Sequence, residues 1–170
     1  MIKTGNVPHM KMNAIVFLCV ALLSQSAAPL TAQQQSDSAD TAAAVAGAMQ
    51  CLDDFMAAWN AHDVKAYEAA MNFPHVRLNG RNVLHVSKKG EMTQEQFESM
   101  QRDAPALRGW DHSGWAKREV VAASANKVHI QTRFVRYRAD GSVLNSFDSL
   151  YVVTREDGHW GVRMRSSYAP

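Results

Sequence analysis

Along residues 117–168 apolar and polar side chains alternate in four runs, broken at Asn126, Asp140-Gly141 and Asp157-Gly158. A period of two marks strands with one covered face. The C-terminal half therefore reads as an antiparallel meander, with strands over 117–123, 127–138, 146–155 and 160–168. Upstream the period changes: Val45, Met49, Leu52, Met56 and Trp59, widened by Ala48 and Phe55, recur at helical spacing and predict an amphipathic helix. Asp63 is placed to cap a second, short helix reaching Met71, which Phe73-Pro74 ends because proline disfavours helical backbone in the residue before it. "HVRLNGRNVLHV" predicts a hairpin about Asn79-Gly80. A third helix has a complete start, with Thr93 as cap, Gln96 as reciprocal partner and Met92 set to staple onto Phe97, and Pro105 bounds it. Three helices with these strands define an α+β domain, the helices packed on one face of a curved, mostly antiparallel sheet.

Turn counting sets the register. Taking Asp157-Gly158 as a two-residue turn pairs Val153 with Val162, Tyr151 with Met164, Ser149 with Ser166 and Phe147 with Tyr168. Asp140-Gly141 pairs Phe134 with Phe147, Thr132 with Ser149, Ile130 with Tyr151 and Val128 with Val153. Both counts give the same apolar face, interrupted by one polar row of Thr132, Ser149 and Ser166. Such a row is either the floor of an apolar-walled ligand pocket or a set of hydroxyls that satisfy one another. With the pocket reading, Tyr151, Tyr67, Trp59 and Arg77 complete the ligand-binding candidates. On the opposite face Arg163 falls beside Val152, Arg165 beside Leu150 and Arg133 beside Asp148. An outward surface mixing Leu150 and Val152 with this charge cluster suits a homodimer interface between sheets.

Lys3, His9 and Lys11 precede an apolar run over 14–23 and the small-residue stretch SQSAAPLTA. That is the layout of a signal peptide over 1–32, and the run is shorter than the roughly 20 residues a membrane-crossing helix needs. The expectation is an exported protein, periplasmic or secreted, without membrane contact after cleavage. Residues 33–44 open with QQQSDSAD, lack aromatics and read as a flexible linker to a domain over 45–170. Lys3 and Lys11 are the leader's only contribution to 18 basic and 16 acidic residues, so 16 of each remain. A neutral domain offers no long-range attraction for nucleic acid. Cys51 is then the sole cysteine, read as a small buried apolar residue.

"LDDFMAAWNAHDVKAYEAAM", the hairpin "HVRLNGRNVLHV" and "SLYVVTREDGHWGVRMRSS" resemble the SnoaL-like, nuclear transport factor 2-like superfamily. There a first helix ending in tryptophan leads to a short helix, and a last hairpin carries DG-x-W. The resemblance spans residues 45–168 and implies a cystatin-like cone with a ligand cavity between helices and sheet. It implies no single reaction, because the superfamily holds isomerases, dehydratases, cyclases, epoxide hydrolases and non-catalytic binders. Its isomerases place a catalytic carboxylate on the first hairpin strand, whereas "NFPHVRLNGRN" has no acid, and "QTRFVRYR" lacks their buried acidic oxyanion donor. His75 remains as the candidate acid–base group. Asp111, His112 and Ser113 are consecutive, so their side chains diverge and a triad is disfavoured; their loop reads as a capped rim. His62, His75, His85, His112 and His129 lack metal-ligand spacing, and no glycine-rich phosphate loop or CxxC is present, so neither metal nor cofactor is expected. The reading is an exported domain that binds a small organic molecule. Its alternative is a cofactor-independent lyase, isomerase or hydrolase using His75 on a small apolar substrate.

Overall fold

The computed structural model describes residues 28–169. Helix α1 spans Ala28–Asn60 and α2 Val64–Ala69; strands β1 (Met71–Asn79) and β2 (Asn82–Val86) precede α3 (Gln94–Arg102). After a short 3-10 turn, Pro105–Leu107, come β3 (His112–Ser124), β4 (Lys127–Tyr137), β5 (Val143–Glu156) and β6 (His159–Ser167). The strands form one sheet of order β2-β1-β6-β5-β4-β3. Every neighbouring pair is antiparallel except β1 and β6, which run parallel. The core lies between the helices and one sheet face, where Leu52, Phe55, Tyr67 and Phe97 meet Val128, Ile130, Tyr151, Val153 and Val162. This is the α+β arrangement that the alternation predicts.

The predicted stripe on α1 is present, with its deepest line on Ala48, Cys51, Leu52, Phe55 and Ala58 and with Val45, Met49 and Trp59 packed at its margin. Small residues let α1 approach the sheet closely; a Cβ on Gly47 would overlap the Trp160 ring. The helix also runs unbroken through 33–44, where the composition predicts a linker, and Ala44 is 2% exposed. Alanine has the highest helix propensity, and extending a formed helix needs no new nucleus. The leader's residues 1–27 lie outside the described residues.

Both predicted caps form. Asp63 accepts from the Ala66 N–H at 3.0 Å, and Thr93 and Gln96 exchange bonds of 3.1 and 2.9 Å. The first hairpin turns one residue later than counted, because Asn79 pairs with Asn82 and leaves Gly80-Arg81 as the turn, with Gly80 at φ 58°.

The β4–β5 register agrees with the count from Asp140-Gly141, from Val128–Val153 to Phe134–Phe147. The β5–β6 register agrees only as far as Val153–Val162. Arg163 is then an extra residue, so Val152 pairs with Met164, Tyr151 with Arg165, Leu150 with Ser166 and Ser149 with Ser167. The bulge exchanges faces. Arg165 and Ser167 go inward, Ser166 goes outward, and Tyr168 is 82% exposed instead of packing on Phe147.

The cause lies on the other side of β6. The ladder to β1 is regular at Met71–Val162 and again from Val76–Met164, so residues 72–75 face the single residue Arg163. Pro74 has no N–H to give to a ladder. Side chains fill the gap: Arg163 donates to the Phe73 carbonyl, and the His75 ring donates from Nδ1 to the Val162 carbonyl at 2.9 Å. Gly161 permits the close approach, since a Cβ there would lie 2.6 Å from the Asn72 backbone nitrogen.

Candidate functional site

A cleft of about 40 Å³ opens between α1 and the sheet. Met56 and Trp59 line it from α1, Phe134 and Arg136 from β4, and Tyr151 from β5. Arg77 reaches it from β1, Arg165 and Ser167 from β6, and Ser113 from the start of β3.

The hydroxyl row lies beneath this cleft. Thr132 and Ser149 are 1% and 3% exposed; Thr132 donates to the Ser149 carbonyl at 3.3 Å, and Ser149 donates to Ser167 Oγ at 3.0 Å. The hydroxyl protons of Thr132 and Ser149 are thus satisfied within the sheet, one by a backbone carbonyl and one by the neighbouring hydroxyl. Ser167 completes the row in place of Ser166, which the bulge turns to the opposite face, and of the three buried hydroxyls only Ser167 lines the cleft. Of the other sequence candidates, Trp59, Tyr151 and Arg77 line it. Tyr67 is buried deeper, with its ring centroid 4.5 Å from that of Phe55.

His75 faces inward beside Arg77 but does not reach the cleft. It lines a separate crevice of about 10 Å³, at the lower limit of what one water occupies. Burial pushes its pKa down to about 4, outweighing the hydrogen bond to Val162. The ring is therefore neutral at pH 7 and engaged in repairing the β1–β6 ladder.

What the structure brings together is three arginines. Arg77 and Arg165 are register partners on adjacent strands, and Arg136 arrives from β4. Arg165 donates to the Tyr151 hydroxyl at 3.3 Å, and its guanidinium lies 5.4 Å from the Phe55 ring centroid. Arg136 donates to the Ala106 carbonyl at 3.3 Å and lies 5.3 Å from the centroids of Phe134 and Phe147. The Nε–H of each of the three is buried and has no acceptor among the described residues. The ion pairs there use other bases: Arg102, His112, Lys117, Arg118, Arg133 and Arg163. The charge of Arg165, and then burial, lowers the Arg77 pKa to about 10; burial, and then Arg165, lowers that of Arg136 to about 10. All three groups stay cationic at neutral pH.

Arg136 was accessible to turn counting, since it shares the inward parity of Phe134 on β4. Arg165 was not, because the count from Asp157-Gly158 cannot register the bulge and so assigns it to the outer face. Arg163 turns to the Phe73 carbonyl and to Glu156 at 3.2 Å, its side chain still 33% exposed. Arg133 and Asp148 remain outside as a two-pronged pair at 2.9 and 2.8 Å.

The neighbouring loop closes on itself. Trp110 Nε1 donates to Ser113 Oγ at 2.9 Å, Asn60 and Ser113 exchange two bonds of 2.9 Å, and His112 meets Asp111 at 2.8 Å while stacking on Tyr137. Asp111 and His112 therefore pair with each other, while Ser113 turns away to Trp110 and Asn60, so the three form no continuous chain. A wider groove of about 450 Å³ along α1 and α2 is lined largely by alanines, among them Ala57, Ala61 and Ala66. None of the unpaired buried polar atoms among the described residues borders it; its polar lining is Asp54, Asp63 and His159.

Helices laid over a six-stranded, mostly antiparallel sheet, with a lined cleft between, define the NTF2-like class of the cystatin fold. Residues 22–169 match the family described as NTF2-like protein (DUF6841), and the chain belongs to that family. Among solved structures it is similar to an NTF2-like protein with a cystatin-like fold from Novosphingobium aromaticivorans, at a TM-score of 0.57 and 9% identity over 86% of this chain and 91% of that one. It is also similar to a protein from Catenulispora acidiphila in complex with S-DNPA (TM-score 0.55, 16% identity, 75% and 93% covered). A third is a ketosteroid isomerase-like protein from Erwinia carotovora atroseptica (TM-score 0.50, 15% identity, 72% and 93% covered). At these identities the likeness is one of fold. No curated protein matches the chain in sequence.

Proposed function

We propose that this chain is an exported binding protein that holds a small organic molecule in the cleft between α1 and the sheet, without performing chemistry on it. The observation that carries this is the set of buried, unpaired N–H groups around a cleft walled by Trp59, Phe134 and Tyr151. Apolar walls with a few polar groups that await a partner are what a small-molecule site requires. The ligand complex of the Catenulispora acidiphila protein supports such use of the fold. Binding is preferred to catalysis because His75, the candidate acid–base group, is buried, neutral at pH 7 and bonded to Val162 away from the cleft.

The leader motif carries export, and the outer sheet face around Arg133, Asp148 and Leu150 carries a homodimer. Native mass spectrometry of protein purified from periplasm or medium tests the three parts together. The expected spectrum is a dimer of chains beginning near Gln33, each bearing a mass that is lost on denaturation. An intact 14–23 segment in a membrane fraction refutes export, a monomer at micromolar concentration refutes the dimer, and the absence of any binder in native or ligand-screened samples refutes the binding role.

A further inference from the structure

Among the described residues, the three arginines of the cleft have no negative charge to answer them. Arg77 and Arg165 stand opposite each other on adjacent strands, where like charges repel. The ionisable groups facing Arg77, Arg136 and Arg165 are one another, the hydroxyls of Tyr67 and Tyr151, and the neutral ring of His75, none of them an anion at neutral pH. Aromatic faces and tyrosine oxygens ease the burial of a guanidinium, but they supply no counter-charge. Buried charges without a partner cost stability, and a structural role for arginine would ordinarily include a carboxylate. A guanidinium fork matches a planar or tetrahedral oxyanion, with two donors set for two oxygens.

Resting on the reading that the cleft binds a small molecule, we propose that the ligand is an organic oxyanion, a carboxylate or phosphate ester. Its anionic head enters among Arg77, Arg136 and Arg165, and its apolar remainder lies against Trp59 and Met56. The dimensions favour entry head first. A volume of about 40 Å³ corresponds to roughly three water-sized spheres, which accommodates a carboxylate and not a ring. The remainder lies along Met56, whose flexible thioether adapts to shape.

Thermal shift and calorimetric titration of the full chain test this with benzoate, phenyl phosphate and the neutral benzyl alcohol. At least one anion is expected to stabilise the protein, less so as sodium chloride rises, while benzyl alcohol does not; the stronger anion identifies carboxylate or phosphate as the head. Arg77→Gln is expected to weaken that binding about 10- to 100-fold. The ligand-free variant should melt no lower than wild type, because the change relieves the repulsion with Arg165. Arg133→Gln, which alters the outer face, should bind as wild type. Arg165→Gln should also lose binding, and if it fails to fold Arg77→Gln still decides. Equal binding of benzyl alcohol and benzoate, unaffected by Arg77→Gln, overturns the anion and leaves the small-molecule reading intact. A lowered melting temperature for Arg77→Gln with unchanged binding makes the arginine structural and also overturns the anion. No binding by any probe at millimolar concentration overturns both.

Discussion

His75 should make this fold sensitive to mild acid. Above pH 6.5, the ordinary imidazole pKa, the ring is neutral in folded and unfolded chains alike. As the pH falls below that value the unfolded chain takes up a proton that the buried ring refuses, so stability is lost, and the loss is complete near pH 4, where the folded ring also protonates. At 1.36 kcal/mol per pH unit, that interval is worth about 3 kcal/mol, of which about 2 kcal/mol is gone by pH 5. His75 is 2% exposed, so solvent does little to reduce the figure. The perturbation is His75→Asn, whose side-chain amide can donate to the Val162 carbonyl from nearly the position of Nδ1 and does not titrate. Urea unfolding of both proteins at pH 7 and pH 5 is the assay. Wild type should lose about 2 kcal/mol more than the variant between the two, the comparison removing whatever the carboxylates contribute. Equal losses would mean that the native ring takes up the proton as readily as the unfolded chain, and the account of its buried, neutral state would be wrong.

Gly161→Ala forces a methyl group into the Asn72 backbone and should cost about 1–3 kcal/mol, read as a lower urea midpoint. Glu68→Ala removes the carboxylate that accepts from the Gly90 and Met92 N–H groups at 2.8 and 3.3 Å, and should lower stability by about 2 kcal/mol, measured by thermal unfolding. Leu150→Arg places a new charge beside Arg133 on the outer face and should cost the proposed dimer several kcal/mol; sedimentation should report a monomer with an unchanged circular dichroism spectrum.

Local chemistry made much of the fold legible. The Thr93–Gln96 box, the Asp63 cap and the β4–β5 register all follow from residues within a few positions of one another or from a single turn. The reading failed where a distant segment decides. Nothing in "GHWGVRMRSS" announces a bulge at Arg163, because its cause is the irregular ladder against Phe73-Pro74-His75, some 90 positions away in the chain and joined to β6 only by a parallel pairing. The same contact made His75 resemble a catalytic group, since its inward direction was readable and its partner was not. For residues 33–44, composition weighed polar side chains against burial and overlooked that alanines extend a helix already docked.

The bulge at Arg163 means that the electrical character of the interior is governed from the sheet's seam. Strand β6 carries two frames: one that would present Met164 to the interior, and one, set by a single surplus residue, that presents Arg165. Arg163 borders no part of the cleft, yet its hold on Phe73 and Glu156 keeps the second frame in force. In relatives of this chain, the polarity of the cleft can therefore change through the length or chemistry of this junction while every wall residue stays the same, and a comparison restricted to wall residues would miss it.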